Sequence, residues 1–359
     1  MQWLLLIFII PYIYLLIRIY RSLIQIKSWH SQSVPGQFLS VVVACRNEEK
    51  NLPVLLNSLA EQDYNPALFE VIIIDDNSSD NTFVAASKYK RIKKLNVARN
   101  IGKGKKSAIR TGVAASTGNL IVTTDADCRM GKSWLKTVAS FFEENEPEMI
   151  ICPVELEGGK GFFQRFQELE FLSLQGITAG TAFAGRPVMC NGANLAFTKE
   201  AYNRHSFNLH DEIISGDDVF LLHAIKSEPE NKIMWLESDE ARVITNTSDT
   251  VLSFLRQRGR WISKAGVYKD RYTKILGIVT FVTILLQLSL LIAGIFNTLF
   301  LWVLLAAFLL KSIPDFLILQ NTTRRYGEKR LKWIFLPGQV VYPVYVVSVF
   351  FSYLFGRPR

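Results

Sequence analysis

The strongest constraint on the fold is a repeated unit: a continuous apolar run, then a polar or acidic loop, then a stretch with helical spacing. Phe38-Leu-Ser-Val-Val-Val-Ala-Cys45 feeds Arg46-Asn-Glu-Glu and then Leu52, Leu55, Leu56 and Leu59. Phe69-Glu-Val-Ile-Ile-Ile-Asp75 feeds Asp76-Asn-Ser-Ser-Asp80, where Ser and Asp supply the N-cap of another helix. Leu95 to Ala98, Lys105 to Ala115 and Leu120 to Thr124 continue as strand, helix and strand. Uninterrupted apolar strands are buried on both faces, which is the habit of parallel sheets. The alternation predicts an α/β fold with a mostly parallel, doubly wound sheet that binds ligands at the carboxyl ends of its strands. Asp75, Asp76, Asp125 and Asp127 all fall at such ends.

Charge is concentrated between about residue 45 and residue 274, and long apolar runs lie on either side. The first, Trp3 to Leu16 with Ile17, Ile19 and Tyr20 beyond it, approaches the ~20 residues that cross a bilayer. It has no basic leader and no small-residue cleavage site, so it reads as a retained anchor rather than a signal peptide. Ile275 to Phe296, Leu299 to Leu319 and Ile334 to Phe355 are further candidate spans, the last interrupted by Pro337 and Pro343 and therefore kinked or interfacial. Arg18, Arg21 and Lys27 follow the first span, and Arg324, Arg325, Lys329, Arg330 and Lys332 separate the last two. The positive-inside rule puts both loops, and the charged middle of the chain, in the cytoplasm; Arg357 and Arg359 count mildly against this. A net charge of +9 suits an anionic membrane surface and a phosphate-bearing substrate, and no motif supports nucleic acid as a partner. Cys45, Cys128, Cys152 and Cys190 lack metal-site spacing and read as reduced thiols.

The chemistry centres on Asn119-Leu-Ile-Val-Thr-Thr-Asp-Ala-Asp-Cys128. Residues two apart on an extended chain share a face, so Asp125 and Asp127 are both able to point at one hard cation and the phosphates it carries. Asn100-Ile-Gly-Lys-Gly-Lys-Lys-Ser107 imitates two phosphate motifs and satisfies neither, having Arg99 where a Walker loop needs Gly and Ser107 where a dinucleotide fingerprint needs it. Its glycines, Lys103, Lys105 and the following helix N-terminus still favour an anion. Gly161 to Leu174 has aromatic residues at helical spacing and reads as core or as the lining of an acceptor path. Asp217 and Asp218 stand at a helix start: capping needs only one of them, while a general base needs a carboxylate within reach of a hydroxyl. Leu252 to Lys264 is a basic amphipathic helix directly before the membrane runs, suited to the interface.

In order, Asp75-Asp76-Asn-Ser-Ser-Asp, Asn100-Ile-Gly-Lys-Gly, Asp125-Ala-Asp127, Gly216-Asp217-Asp218 and Gln257-Arg-Gly-Arg260-Trp261 resemble the membrane-bound branch of glycosyltransferase family 2, the inverting GT-A enzymes that include cellulose, chitin and hyaluronan synthases. The resemblance covers about residues 38 to 264. It implies residues 1–30 as an anchor, 38–250 as a cytoplasmic GT-A domain with a Rossmann-like sheet, 251–270 as an interfacial helix and 275–356 as a membrane region with about three helices. It further implies that Asp75 and Asp76 contact the nucleoside of a nucleotide-sugar donor. Asp125 and Asp127 would reach its diphosphate through Mg2+ or Mn2+, with Lys103 and Lys105 nearby. Asp218 would be the base, Asp217 standing where the family more often has Glu. Arg260 would lie near the leaving diphosphate, Trp261 near the acceptor, and Gln257 in the same element.

About four spans are fewer than polysaccharide synthases of this group commonly carry, which favours single transfer to a lipid-linked or membrane-proximal saccharide acceptor over processive synthesis. An inactive membrane scaffold would have no chemical reason to keep every carboxylate and the Arg-Trp pair. Nucleotidyl transfer leaves Asp218 and Gln257 to Trp261 without a role. Lys311 and Asp315, four apart within an apolar run, read as a mutually neutralising pair, or as a site for an anionic lipid head group.

Overall fold

The computed structural model describes residues 2–30, 34–209, 213 and 216–355. Ile214 and Ser215, in the stretch before Asp217, and Arg357 and Arg359 lie outside the described residues. In chain order the helices are α1 (Ile10–Leu23), α2 (Leu52–Ala60), α3 (Thr82–Lys88), α4 (Lys105–Ala115), α5 (Trp134–Asn145), α6 (Phe162–Phe183), α7 (Lys199–His205), α8 (Asp217–Lys226), α9 (Val251–Ile262), α10 (Arg271–Phe296), α11 (Leu299–Arg325) and α12 (Phe335–Phe355). Contacts divide the chain into two compact units, one of Lys27–Glu157 and Met189–Asn246, the other of Met1–Ile26, Gly158–Val188 and Thr247–Arg359.

The first unit holds every strand: β1 (Leu39–Cys45), β2 (Phe69–Asp75), β3 (Leu95–Arg99), β4 (Leu120–Asp125), β5 (Arg129–Met130), β6 (Met149–Ile151), β7 (Val154–Glu157), β8 (Leu195–Thr198), β9 (Ile233–Trp235) and β10 (Val243–Asn246). Seven of them form a sheet in the order β3-β2-β1-β4-β8-β6-β9. Neighbours from β3 to β4 are parallel, as the apolar runs require, and β6 is parallel to β9. Only β8 runs antiparallel to its neighbours β4 and β6, so the sheet is mostly parallel rather than wholly so. Its short Leu195–Thr198 segment follows α6 and a single turn at Gly192–Asn194. Strand β10 joins β7 in parallel and β5 in antiparallel to make a second, three-stranded sheet.

Burial explains the strand composition. All of Val41, Val42, Val43, Val71, Ile73 and Ile74 are fully buried, and Leu52, Leu55, Leu56 and Leu59 of α2 are buried with them. Removing each such leucine from water is worth about 1.5–3 kcal/mol. Asn194 is buried and polar, and it is satisfied: its Nδ2 donates to the Pro153 and Ala241 carbonyls at 2.7 and 2.8 Å, and its Oδ1 accepts from Trp134 Nε1 at 3.0 Å. That one side chain ties α5 to the loops beside β6 and β10.

The second unit is helical. Four of its segments, Gln2–Leu23, Arg271–Phe296, Leu299–Arg325 and Lys329–Leu354, are long and apolar enough to cross a membrane. Pro343 lies inside α12, yet the helix is continuous across it. Small residues set the spacing of α6 against its neighbours: a Cβ on Gly176 would stand 2.6 Å from Thr322 and 2.7 Å from Ile318, and one on Gly180 would stand 2.7 Å from the Ile19 carbonyl oxygen. The predicted aromatic helix is therefore longer than its aromatic stretch, and its C-terminal half packs against α1 and α11. Lys311 and Asp315 form the expected pair, with Nζ 2.5 Å from Oδ2. Tyr12 donates to Asp315 Oδ1 at 2.5 Å, and the Gln339 amide bridges both charges at 2.9 Å. Lys311 is buried, with its charge paired and two of its donors engaged, as a mutually neutralising pair requires.

Candidate active site

The register of the sheet brings the acidic loops to one edge. Cys45 is paired with Asp75, Asp75 with Arg99, and Ala44 with Asp125, so four loops leave the sheet side by side. The loops after β1 and β2 are laced together by short polar bonds. Asn47 N–H donates to Ser78 Oγ at 2.9 Å, Ser79 N–H to Asn47 Oδ1 at 2.9 Å, and Glu48 N–H to Thr82 Oγ1 at 2.7 Å. Asp80 accepts the Thr82 N–H at 3.0 Å, while Asn81, the residue before α3, makes no side-chain cap.

Asp75 and Asp76 have different environments. Asp75 is fully buried, with Oδ2 accepting the Ser78 N–H at 3.3 Å and Oδ1 lacking a hydrogen-bond partner. Such an orphaned acceptor is costly unless a ligand donates to it. Asp76 instead builds the glycine loop: its carboxylate takes the Gly104 N–H at 2.9 and 3.0 Å and the Asn100 amide at 2.7 Å. Gly104 has φ +85°, a backbone that other residues adopt only with strain, and that turn launches α4. Arg46 reaches to 3.9 Å of Asp76 while its side chain stays 65% exposed.

One expectation requires correction. Asp125 is the last residue of β4, but Asp127 lies in the turn that follows, so the pair does not share a face of one extended strand. They remain electrostatic neighbours. Burial first, and then the Asp125 charge, push the Asp127 carboxyl above the ordinary aspartate value, although the Thr245 hydroxyl donates to Asp127 Oδ2 at 3.1 Å. Lys105 is already paired, its ammonium being bonded to Asp125 Oδ1. Desolvation acts against that charge, but Asp125, Asp217 and Asp218 outweigh it and raise the Lys105 value. The lysine side chain is 42% exposed, and the surrounding carboxylates rather than burial decide its state. Lys103 stays exposed on the same loop.

Asp217 and Asp218 open α8, after Gly216 at φ +93°. The residue before the helix is thus glycine, and Asp217 is its first turn rather than its cap. Asp218 is aimed by two N–H groups, Gly192 on Oδ2 at 3.0 Å and its own neighbour Val219 on Oδ1 at 2.8 Å. Lys105 therefore stands in the common field of the strand-end carboxylate Asp125 and of the pair on α8.

Glu48 was visible in the sequence only as part of a helix lead. Its carboxyl is pushed up by burial and then by the charges of Asp127, Asp125 and Asp80, against the effect of the Asn51 amide that donates to it. It belongs to the same acidic focus. The one signal for it was position, three residues beyond the end of β1 as Asp127 is two beyond the end of β4.

The donor set suits a hard divalent ion that arrives with its ligand. No group of three or more His, Cys, Asp and Glu side chains able to hold a metal occurs among the described residues. Magnesium-like ions commonly take only one or two protein carboxylates and complete their shell with substrate phosphates and water. Asp125 and Asp127 are the two carboxylates that would hold such an ion, and burial together with the Asp125 charge raises the Asp127 value.

Gln257, Arg260 and Trp261 belong to α9, in the helical unit. Arg260 is exposed; Gln257 and Trp261 are half-buried and both touch Arg258. Thr250 and Ser253 form a reciprocal capping box at the start of this helix.

Burial near the acidic loops has a measurable effect on Cys45. Burial first, and the Asp75 charge next, push its thiol up to about 12. An unfolded thiol ionises near ~8.5, so the folded state holds its proton longer; the stabilisation is complete below that pH and is lost as pH rises toward the folded value. Between about pH 9 and pH 11 the urea midpoint of the wild type is expected to fall more steeply than that of Cys45→Ala.

The fold is of the GT-A kind, and residues 40–206 match the model of glycosyl transferase family 2. Among its relatives, the poly(ribitol-phosphate) beta-N-acetylglucosaminyltransferase of Staphylococcus aureus is 32% identical over 126 residues, 34% of this chain and 22% of that one. The dolichyl-phosphate beta-glucosyltransferase of Mus musculus is 41% identical over 105 residues, 26% of this chain and 32% of that one. The chain thus matches about a fifth to a third of the length of these curated relatives. A mannosyltransferase from Pyrobaculum calidifontis, solved with GDP-Man and Mn2+, superposes with a TM-score of 0.60 over 100% of both chains at 17% identity, a likeness of fold.

Proposed function

We propose that this chain moves a sugar, with inversion, from a nucleotide-sugar to a lipid-linked or membrane-proximal acceptor at the cytoplasmic face of the cell membrane. The observation that carries the reading is the register of the sheet, which brings Asp75, Asp76 and Asp125 to one carboxyl edge, with Lys105 paired to Asp125 there. A lone acidic loop needs no such company; a site that handles a diphosphate and a hydroxyl together does.

In this mechanism the buried Asp75 Oδ1 accepts from the nucleoside, and Asp76 keeps the Gly102–Gly104 loop in place. Asp125 and Asp127 are the residues that would hold Mg2+ or Mn2+, which when bound neutralises charge developing on the leaving diphosphate. Lys105 is a second cation for that charge. Asp218 takes the acceptor's proton as its oxygen forms a bond to the anomeric carbon, and the carbon–oxygen bond to the diphosphate breaks with its electron pair leaving on phosphate. Gln257, Arg260 and Trp261 keep the roles that the family resemblance gives them. Lipid acceptors are supported by the dolichyl-phosphate acceptor named for one relative and by the four apolar helices. The cytoplasmic face is supported by the basic loops after Gln2–Leu23 and around Lys329.

The test is release of nucleoside diphosphate by the purified full chain across a panel of nucleotide-sugars with Mg2+ or Mn2+ and membrane lipids. Metal-dependent release from a single donor is expected. Pyrophosphate instead would make the chain a nucleotidyltransferase, and no release from any donor would favour a scaffold.

A further inference from the structure

The residue between Gln257 and Arg260 that sequence reasoning passed over, Arg258, is the most enclosed cation of α9. Its side chain is 4% exposed and that of Glu170, on α6, is 8% exposed. They pair through two bonds, Nε to Oε1 at 3.2 Å and Nη2 to Oε2 at 2.6 Å. The remaining Nη1 donates to Gln257 Oε1 at 2.7 Å. The guanidinium lies 4.1 Å from the centroid of Trp261 and 4.6 Å from that of Phe254. From α12, Tyr345 completes the group by donating its hydroxyl to Glu170 Oε1 at 3.0 Å.

We propose that Arg258, fixed by Glu170 and Tyr345, is the positioning residue for the Gln257–Trp261 element, and that Tyr345 makes the set of that element depend on helix α12. This rests on the transferase reading above. Two of the three residues that the family resemblance singles out on α9 are held by one guanidinium, which a simple buried ion pair has no need to do. A planar fork that donates to a carboxylate with one edge and to an amide with the other, while stacking on two rings, has no lysine equivalent. Tyr345 provides the third constraint at the cost of a single hydroxyl.

The experiment uses the full chain in nanodiscs, with turnover, donor KM, nucleoside diphosphate Kd and thermal midpoint measured together. Tyr345→Phe removes one O–H and leaves the ion pair and ring packing in place. It is expected to lower kcat about 3–10-fold, the ordinary net weight of one hydrogen bond, with donor KM and nucleoside diphosphate Kd unchanged. Arg258→Lys keeps the charge and is expected to lower kcat further, about 10–100-fold. In a Glu170→Gln background, Tyr345→Phe should add little, because its acceptor charge is already gone. Wild-type kcat in both single variants, with only the thermal midpoint lowered, would assign the group to stability and overturn the proposal. A wild-type chain that turns over no donor would overturn it together with the transferase reading, and that outcome is distinguished by appearing before any substitution is made.

Discussion

Asp218→Asn is expected to reduce sugar transfer by about 10²–10⁴-fold, the range that a positioned general base contributes, while donor affinity stays at the wild-type level. The variant is nearly isosteric, and its amide oxygen is still able to accept from the Gly192 N–H that now meets Asp218 Oδ2. What it loses is the capacity to take a proton. Asp127→Asn should fail differently: it removes charge from the pair that faces the diphosphate, so donor and metal binding weaken along with turnover. Isothermal titration with nucleoside diphosphate and Mn2+, run beside the kinetics, separates the two. Equal loss of donor binding in both variants would remove Asp218 from the role of base.

The second large effect lies in the helical unit. Lys311→Met is expected to destabilise the chain by about 3–5 kcal/mol, the usual result of leaving one member of a buried ion pair alone. Asp315 would retain the Tyr12 hydroxyl and the Gln339 amide but lose its counter-charge. Lys311→Met combined with Asp315→Leu should recover most of that loss, since no charge is then stranded. Thermal midpoints in one detergent, for the single and double variants, decide it. A double variant no better than the single would mean that the pair is worth more than its desolvation costs.

The parts of this molecule that read from sequence were those governed by local periodicity. Buried parallel strands are continuous apolar runs, and β2 and α4 occupy Phe69–Asp75 and Lys105–Ala115 as expected. The carboxylates at strand ends followed from the same rule, because the strand sets where the loop begins. The partnerships did not read. Lys105 and Asp125 are 20 residues apart, and Arg258 and Glu170 are 88 apart. No local pattern encodes which lysine a carboxylate will meet. Nor could spacing place Asp127, because Ala126 and Asp127 turn away where an extended chain would have kept both acids on one face.

The pairing of Tyr12 with Asp315, 303 positions later, bears on how the protein is made. The first apolar helix leaves the ribosome with a hydroxyl whose partner has not yet been synthesised, and α6 follows with Gly176 and Gly180 shaped for neighbours of which one, α11, is still to come. During all that time the strand-bearing unit is able to complete its own sheet, since none of its strands waits for residues beyond Asn246. The helical unit therefore waits for α11, and a chain that stopped short of it would hold every strand of the sheet while leaving Tyr12 and α6 without their α11 partners.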